Sequence, residues 1–146
     1  MAANTSPIYS LLGDVQWGTV ATANTAKDGT GTVVTIFTAD ATNGGRVERV
    51  RFRALGTNVA TVARIFVNNG STNATATNNT LYAEITLPAT TLSEVAALVL
   101  QEIPNPLNII DMSGFPLVLP PGYKLNVTIG TTVSAGYAVT AVGGKY

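Results

Sequence analysis

The chain has no cysteine and no histidine among its 146 residues. Without cysteine, disulfides and thiolate metal sites are excluded. Without histidine, the commonest general base and the commonest metal ligand are both missing. Charge is scarce as well. Asp, Glu, Lys and Arg make up 11% of the residues, against about 25% in ordinary soluble domains. Eight basic residues balance eight acidic ones, so the formal net charge is zero, which argues against a general nucleic-acid binder. A small free monomer usually carries net charge for solubility. A neutral surface rich in Thr, Ala, Asn and Val is easier to understand if other subunits cover part of it. The alternative is a neutral β-protein kept in solution by hydroxyls and amides. Long apolar runs are also lacking. The longest, Val95 to Leu100, is far below the roughly 20 residues of a membrane-spanning helix. Met1 to Leu12 lacks the basic segment and long apolar stretch of a secretory signal.

What the chain does contain is β-sheet chemistry. Threonine and valine are frequent; both are stiff at χ1 and pack well on a pleated surface. Gly, Asn and Pro interrupt the apolar segments at short intervals, which predicts many short strands in an all-β, antiparallel β-sandwich, jelly-roll-like, with eight or nine strands. The length suits one domain, predicted over residues 15–146 behind an N-terminal arm over residues 1–14. Strands are predicted at Val15–Ala23, with Trp17 as its large anchor, and at Thr32–Ala39, Val47–Leu55, Ala60–Asn68 and Leu81–Leu87. Short apolar pieces follow at Leu107–Ile110 and Leu117–Leu119, then strands at Tyr123–Ile129 and Tyr137–Val142. In Tyr123–Ile129, alternation puts Tyr123, Leu125, Val127 and Ile129 on a dry face and Lys124, Asn126 and Thr128 on a wet one. Val95 to Ile103 fits either a short helix capped by Ser93 or a buried strand. Its β-rich surroundings and Pro104 favour the strand.

All five arginines of the chain lie between Gly44 and Gly70. The stretch reads as a hairpin whose two strands are joined at Gly56-Thr-Asn58. Val50, Phe52 and Ala54 alternate with Arg49, Arg51 and Arg53, which lines up three guanidinium groups on one face at roughly 7 Å spacing. Val47 has the wrong parity for the inward set, so a β-bulge is predicted near Glu48. Three readings compete for the arginines. One is a solvated face with cross-strand pairs to Glu84 or Glu102. Another is an interface row, formed with Arg64, that meets a sister subunit or a partner through the planar fork of arginine. The third, a phosphate or nucleic-acid surface, lacks interleaved aromatics and is opposed by the neutral overall charge.

No catalytic set emerges, no metal site and no cofactor motif. Glu94 and Glu102 are a conceivable carboxylate pair, but nothing in the sequence places them in a cleft. Hydroxyls are abundant, yet no GxSxG or SxxK pattern supplies a nucleophile with its base. Asp14, Asp28 and Asp40 are too dispersed for a calcium loop. The segment Asn69 to Asn79 is polar and uncharged. It reads as an exposed loop that does not pack, carrying Asn69, Asn73, Asn78 and Asn79, with turn chemistry at Asn68-Asn69-Gly70 and Asn78-Asn79.

Four motifs between Arg46 and Tyr146 carry a family likeness: the Leu55-Gly-Thr-Asn58 corner, the ARIFVNNG strand ending at Gly70, the Pro120-Pro-Gly-Tyr-Lys-Leu125 turn and strand, and the terminal Gly143-Gly-Lys-Tyr146. In these the chain resembles small virion structural proteins of tailed bacteriophages, of the capsid decoration (cement) type. The resemblance implies a jelly-roll-like sandwich that oligomerises, as a homotrimer on the capsid, and whose partners are the major capsid protein and sister subunits. It also implies a virion location after assembly in the host cytoplasm. It carries over no active-site residue. The expected function is non-enzymatic: cementing the shell across subunit junctions. A tail or fibre-attachment component and a carbohydrate-binding adhesion module are the alternatives. No nucleic acid, membrane or small-molecule substrate is expected.

Overall fold

Alternating apolar residues on short segments between glycine, asparagine and proline turns give nine strands among the described residues. In the computed structural model, which describes residues 10–98, 100–104 and 114–146, they are β1 (Leu12–Val20), β2 (Val34–Thr38), β3 (Gly45–Ala54), β4 (Thr61–Asn68), β5 (Asn79–Leu87), β6 (Leu100–Ile103), β7 (Leu117–Leu119), β8 (Lys124–Ile129) and β9 (Tyr137–Lys145). One sheet has the order β1-β9-β3-β6, with β7 also on β3; the other has the order β2-β8-β4-β5. Every named pair is antiparallel. The pairs β1·β9, β2·β8, β3·β6 and β4·β5 are those of one long hairpin doubled on itself. Rolling that hairpin up adds β9·β3 and β8·β4. This is the jelly roll, two packed sheets from a wound antiparallel ribbon.

The core lies between the sheets. Val50, Phe52 and Ala54 of β3 meet Val139 and Ala141 of β9 on one side, and Ile36, Phe37, Ala63, Ile65, Leu125, Val127 and Ile129 supply the other. Fully burying each large side chain contributes roughly 1.5–3 kcal/mol. Phe115 closes one end, edge-on to Tyr82 with ring centroids 5.7 Å apart. Asn58 ties three connections together. Its amide donates to Gly136 O at 2.9 Å, and its Oδ1 accepts the N–H groups of Ala135 and Gly136. Its backbone exchanges two hydrogen bonds with Thr90.

Several expectations change. The arginine stretch is not a hairpin: β3 and β4 lie in different sheets, and Gly56-Thr-Asn58 is a crossing between them, held by Asn58. The bulge predicted near Glu48 is present, as a register shift between Val47 and Arg49, and it turns Val47 into the core. The first strand starts at Leu12, three residues before Val15 and inside the stretch assigned to the arm, and it ends at Val20. Trp17 does not anchor the core; it is 72% exposed. The inward positions of β1 are Gly18 and Val20. At Gly18 a Cβ would come within 2.5 Å of Val34 Cγ1, so the opposite sheet already fills that space. Among the described residues between Val95 and Ile103, only Leu100–Ile103 is strand. Ser93 Oγ accepts the N–H groups of Val95 and Ala96, as a cap does, but no helix follows. Val95 is 98% exposed. The face of β8 expected to be wet is covered at Asn126 and Thr128, both buried, with Thr35 Oγ1 donating to Asn126 Oδ1 at 2.8 Å. Residues 1–9 of the expected arm and the piece Leu107–Ile110 lie outside the described residues.

Candidate docking face

Three outward rows cross the five-stranded sheet, set by its register. Arg49 is opposite Val142, Arg51 opposite Thr140, and Arg53 opposite Ala138 on β9. Those three residues are opposite Val15, Trp17 and Thr19 on β1. On the other flank, Arg51 is opposite Glu102 and Arg53 opposite Leu100 of β6. With strands about 4.8 Å apart, Trp17 and Arg51 sit in one row roughly 10 Å apart. One sheet face thus carries an apolar strip at β1 and a guanidinium strip at β3.

The arginines are not equivalent. Glu102 sits under two of them, its side chain only 6% exposed, while those of Arg49 and Arg51 are 47% and 45% exposed. Arg51 Nε donates to Glu102 Oε2 at 3.2 Å, and Arg49 Nη1 is 3.6 Å from Oε1. Arg53 has no carboxylate within ion-pair distance among the described residues. Across the row, three cations face one anion. Replacing all three with serine would leave Glu102 buried without a cation, so it would not test docking alone.

Arg64 does not join the row. It lies on β4 in the other sheet, where Nε donates to Glu84 Oε1 of β5 at 2.8 Å. With Thr61, Val62, Thr86, Gly130 and Thr131 it lines a shallow cleft of about 430 Å³. The cross-strand pairs that the solvated-face reading foresaw, to Glu102 and to Glu84, both occur.

The asparagine loop is exposed at Asn69 but not loose. Asn69 donates to Asn78 Oδ1, and Asn78 donates to Thr72 O at 2.9 Å. Asn79 donates to Asn73 O at 3.0 Å and accepts from Asn68 at 2.8 Å. Asn73 reaches a second loop, donating to Gly31 O at 2.8 Å, and Asn24 braces that loop through Thr30 O and Thr32 O. The expectation of a segment that does not pack is therefore corrected. Asparagine carries two donors and an acceptor, and these amides replace the backbone ladder where the chain turns. Asn24 and Asn58, both central to such networks, were missed from the sequence. Each lies beside a turn, but an asparagine beside a turn is common and marks no partner.

Among the described residues, no group of three or more Asp or Glu is placed to hold a metal ion. Glu102 is engaged by two arginines, and Glu94 lies in an exposed bend. The chemistry this face offers is recognition: ionic pairing from Arg53 and the half-exposed Arg49 and Arg51, with apolar contact from Val15 and Trp17.

No family model matches the chain, and no curated protein sequence matches it. A solved structure titled "Structure of infectious bursal disease virus Gt strain" contains a chain aligning with 97% of this one and 36% of its own length, at 15% identity and a TM-score of 0.27. The present chain thus spans little more than a third of that one. The likeness is weak, and nothing about site or function is drawn from it.

Proposed function

We propose that the protein is a non-enzymatic structural component of a virus particle, a capsid decoration (cement) protein of a tailed bacteriophage. It would bind the major capsid protein across subunit junctions through the outer face of its five-stranded sheet. The observation that supports this most is the pairing, on one exposed face, of Trp17 and Val15 with the row Arg49, Arg51 and Arg53. Tryptophan and arginine are the side chains most enriched at the energetic centres of protein interfaces. The excess of cations there suits an acidic patch on the shell. Jelly rolls recur in viral capsid domains and in lectins, which lends analogy only. The exposed Trp17 also favours a second reading, adhesion to carbohydrate, since sugars stack on such rings.

The test is co-sedimentation of the protein with emptied capsids, followed by the heat resistance of the loaded particles. Stoichiometric binding is expected, with affinity falling about thirtyfold or more in each of Trp17→Ser and Arg53→Ser, as for truncated hot spots. Labelling of tails alone in electron micrographs would refute the cement assignment in favour of a tail or fibre-attachment role. Retention on glycans with no capsid affinity would refute it in favour of adhesion.

A further inference from the structure

Each open sheet edge presents unpaired backbone groups and needs protection. Three of the edges here have it. β6 and β7 are four and three residues long. β2 is five residues long and carries a bulge between Thr35 and Phe37. Its Thr38 backbone is also occupied: Gln16 Nε2 donates to Thr38 O and Gln16 Oε1 accepts Thr38 N–H, both at 2.9 Å. β5 is broken by a bulge opposite Ile65 and Phe66, and Tyr82 pins it to Gly114 O.

β1 has none of these devices. It is nine residues long, and its register with β9 runs unbroken from Leu12–Lys145 to Val20–Tyr137. It contains no proline and no lysine, and its one charge, Asp14, accepts a hydrogen bond from Gln16 at 3.0 Å. Among the described residues, no strand lies on its far side. Leu12, Val15 and Trp17 along it, and Leu11 just before it, are all exposed.

We infer that the free edge of β1 is a pairing site for β1 of a second copy of this chain, in a two-fold antiparallel junction centred on Gln16. In that register Val15 of one copy faces Trp17 of the other, twice. Aromatic and β-branched residues are favourable cross-strand partners. Asp14 falls opposite Gly18, so the two Asp14 carboxylates are separated by four residues, about 14 Å along the strand. That exceeds the screening length of about 8 Å at physiological ionic strength. The zero net charge of the chain leaves no long-range repulsion between copies. An edge about 30 Å long with its apolar strip offers about 600 Å² per copy, the lower end of a standard interface. The product is one continuous sheet with a shared apolar centre and an arginine row on each side. It is a dimer, in place of the trimer that the family resemblance implies, and it does not depend on binding to a shell.

Sedimentation equilibrium of the full chain should show a monomer–dimer equilibrium. Trp17 is the only tryptophan, so its emission should shift to the blue as the dimer forms. The Val15→Lys/Trp17→Lys variant should dimerise at least about a hundredfold more weakly, with circular dichroism unchanged and the same melting temperature as the parent at concentrations where both are monomeric, because both side chains are exposed. Leu92→Lys, at an exposed apolar residue off β1, should dimerise as the parent does. In this cysteine-free background, oxidising a mixture of the Val15→Cys and Trp17→Cys variants should give the cross-linked heterodimer, since opposed strand residues meet disulfide geometry. The proposal is overturned by a parent that stays monomeric to its solubility limit or forms a trimer. It is also overturned by a double-lysine variant as dimeric as the parent, or by a dimer in which the cysteine pair does not cross-link.

Discussion

Serine at both Arg49 and Arg51 would remove the two cations beside Glu102 and leave a carboxylate whose side chain is 6% exposed. Two unit charges about 4 Å apart attract by about 4 kcal/mol at an effective dielectric of 20, and desolvating the carboxylate opposes that gain. Stranding one member of a buried pair costs roughly 3–5 kcal/mol. Arginines nearly half in water belong at the low end, so about 3 kcal/mol is expected. For a domain of this size that lowers the melting temperature by roughly 6–12 °C. The converse change should be milder. In Glu102→Gln the shape is kept and both arginines relax into water, so the cost is about 1 kcal/mol. Adding Glu102→Gln to the double-serine variant should then restore stability, because no buried charge is left alone. Urea titration of the four proteins closes the cycle. A double-serine variant within about 0.5 kcal/mol of the parent would refute the reasoning. So would a triple variant less stable than the double, since the buried carboxylate would then not be the source of the loss. Arg53→Ser, with no acid to strand among the described residues, is the control and should be neutral.

Other changes follow from the hydrogen bonds. Asn58→Ala removes a donor and an acceptor that serve three backbone groups of residues 135 and 136; a loss of about 2–3 kcal/mol is expected in urea melts. Asn73→Ala releases the loop at Gly31, so amide exchange should accelerate around residues 28–32 while global stability falls by about 1 kcal/mol. Hydrogen bonds from Thr30 hold the Asp28 carboxyl below its ordinary 3.8, and those from Asn43 and Thr42 do the same for Asp40. With the folded value lowered, each contribution is complete above the ordinary value and is lost as pH falls through the folded one. Carboxyl titration by NMR should therefore give midpoints below 3.8 for both. Asp40→Asn, which keeps the acceptor, should remove that part of the acid-side loss.

The arginine strand was legible because its two alternating sets differ in kind. Val50, Phe52 and Ala54 all proved buried, and the parity break at Val47 located the bulge. In β1 the same logic failed, since Val15 and Trp17 are the apolar pair and yet face out. Which face of a strand is buried depends on what the other sheet sends across. Here Val34 fills the space above Gly18, a contact that no alternation within residues 12–20 can register. The separation of β3 from β4 was hidden for a related reason. A short connection between strands suits a hairpin, and only the partners each strand takes in its own sheet reveal a crossing. Arg64 was grouped with the other arginines by closeness in sequence, which the crossing cancels. At the docking face, the arginine row could be read from spacing. The burial of Glu102 beneath it depends on a pairing between residues 51 positions apart, which local pattern does not encode.

The lacing of the asparagine loop has a consequence for how the molecule meets its medium. The side chains of Asn24, Asn68, Asn69, Asn73, Asn78 and Asn79 lace that region through neutral amides and carbonyls. Such groups neither gain nor lose protons across ordinary pH, and dissolved ions scarcely weaken them. The guanidinium strip of the sheet face obeys the opposite rule, because any attraction from Arg49, Arg51 and Arg53 would be ionic and would fade as salt rises. The protein therefore carries one salt-blind surface and one salt-sensitive one. Raising ionic strength should weaken the ionic share of any contact that face makes long before the loop changes shape.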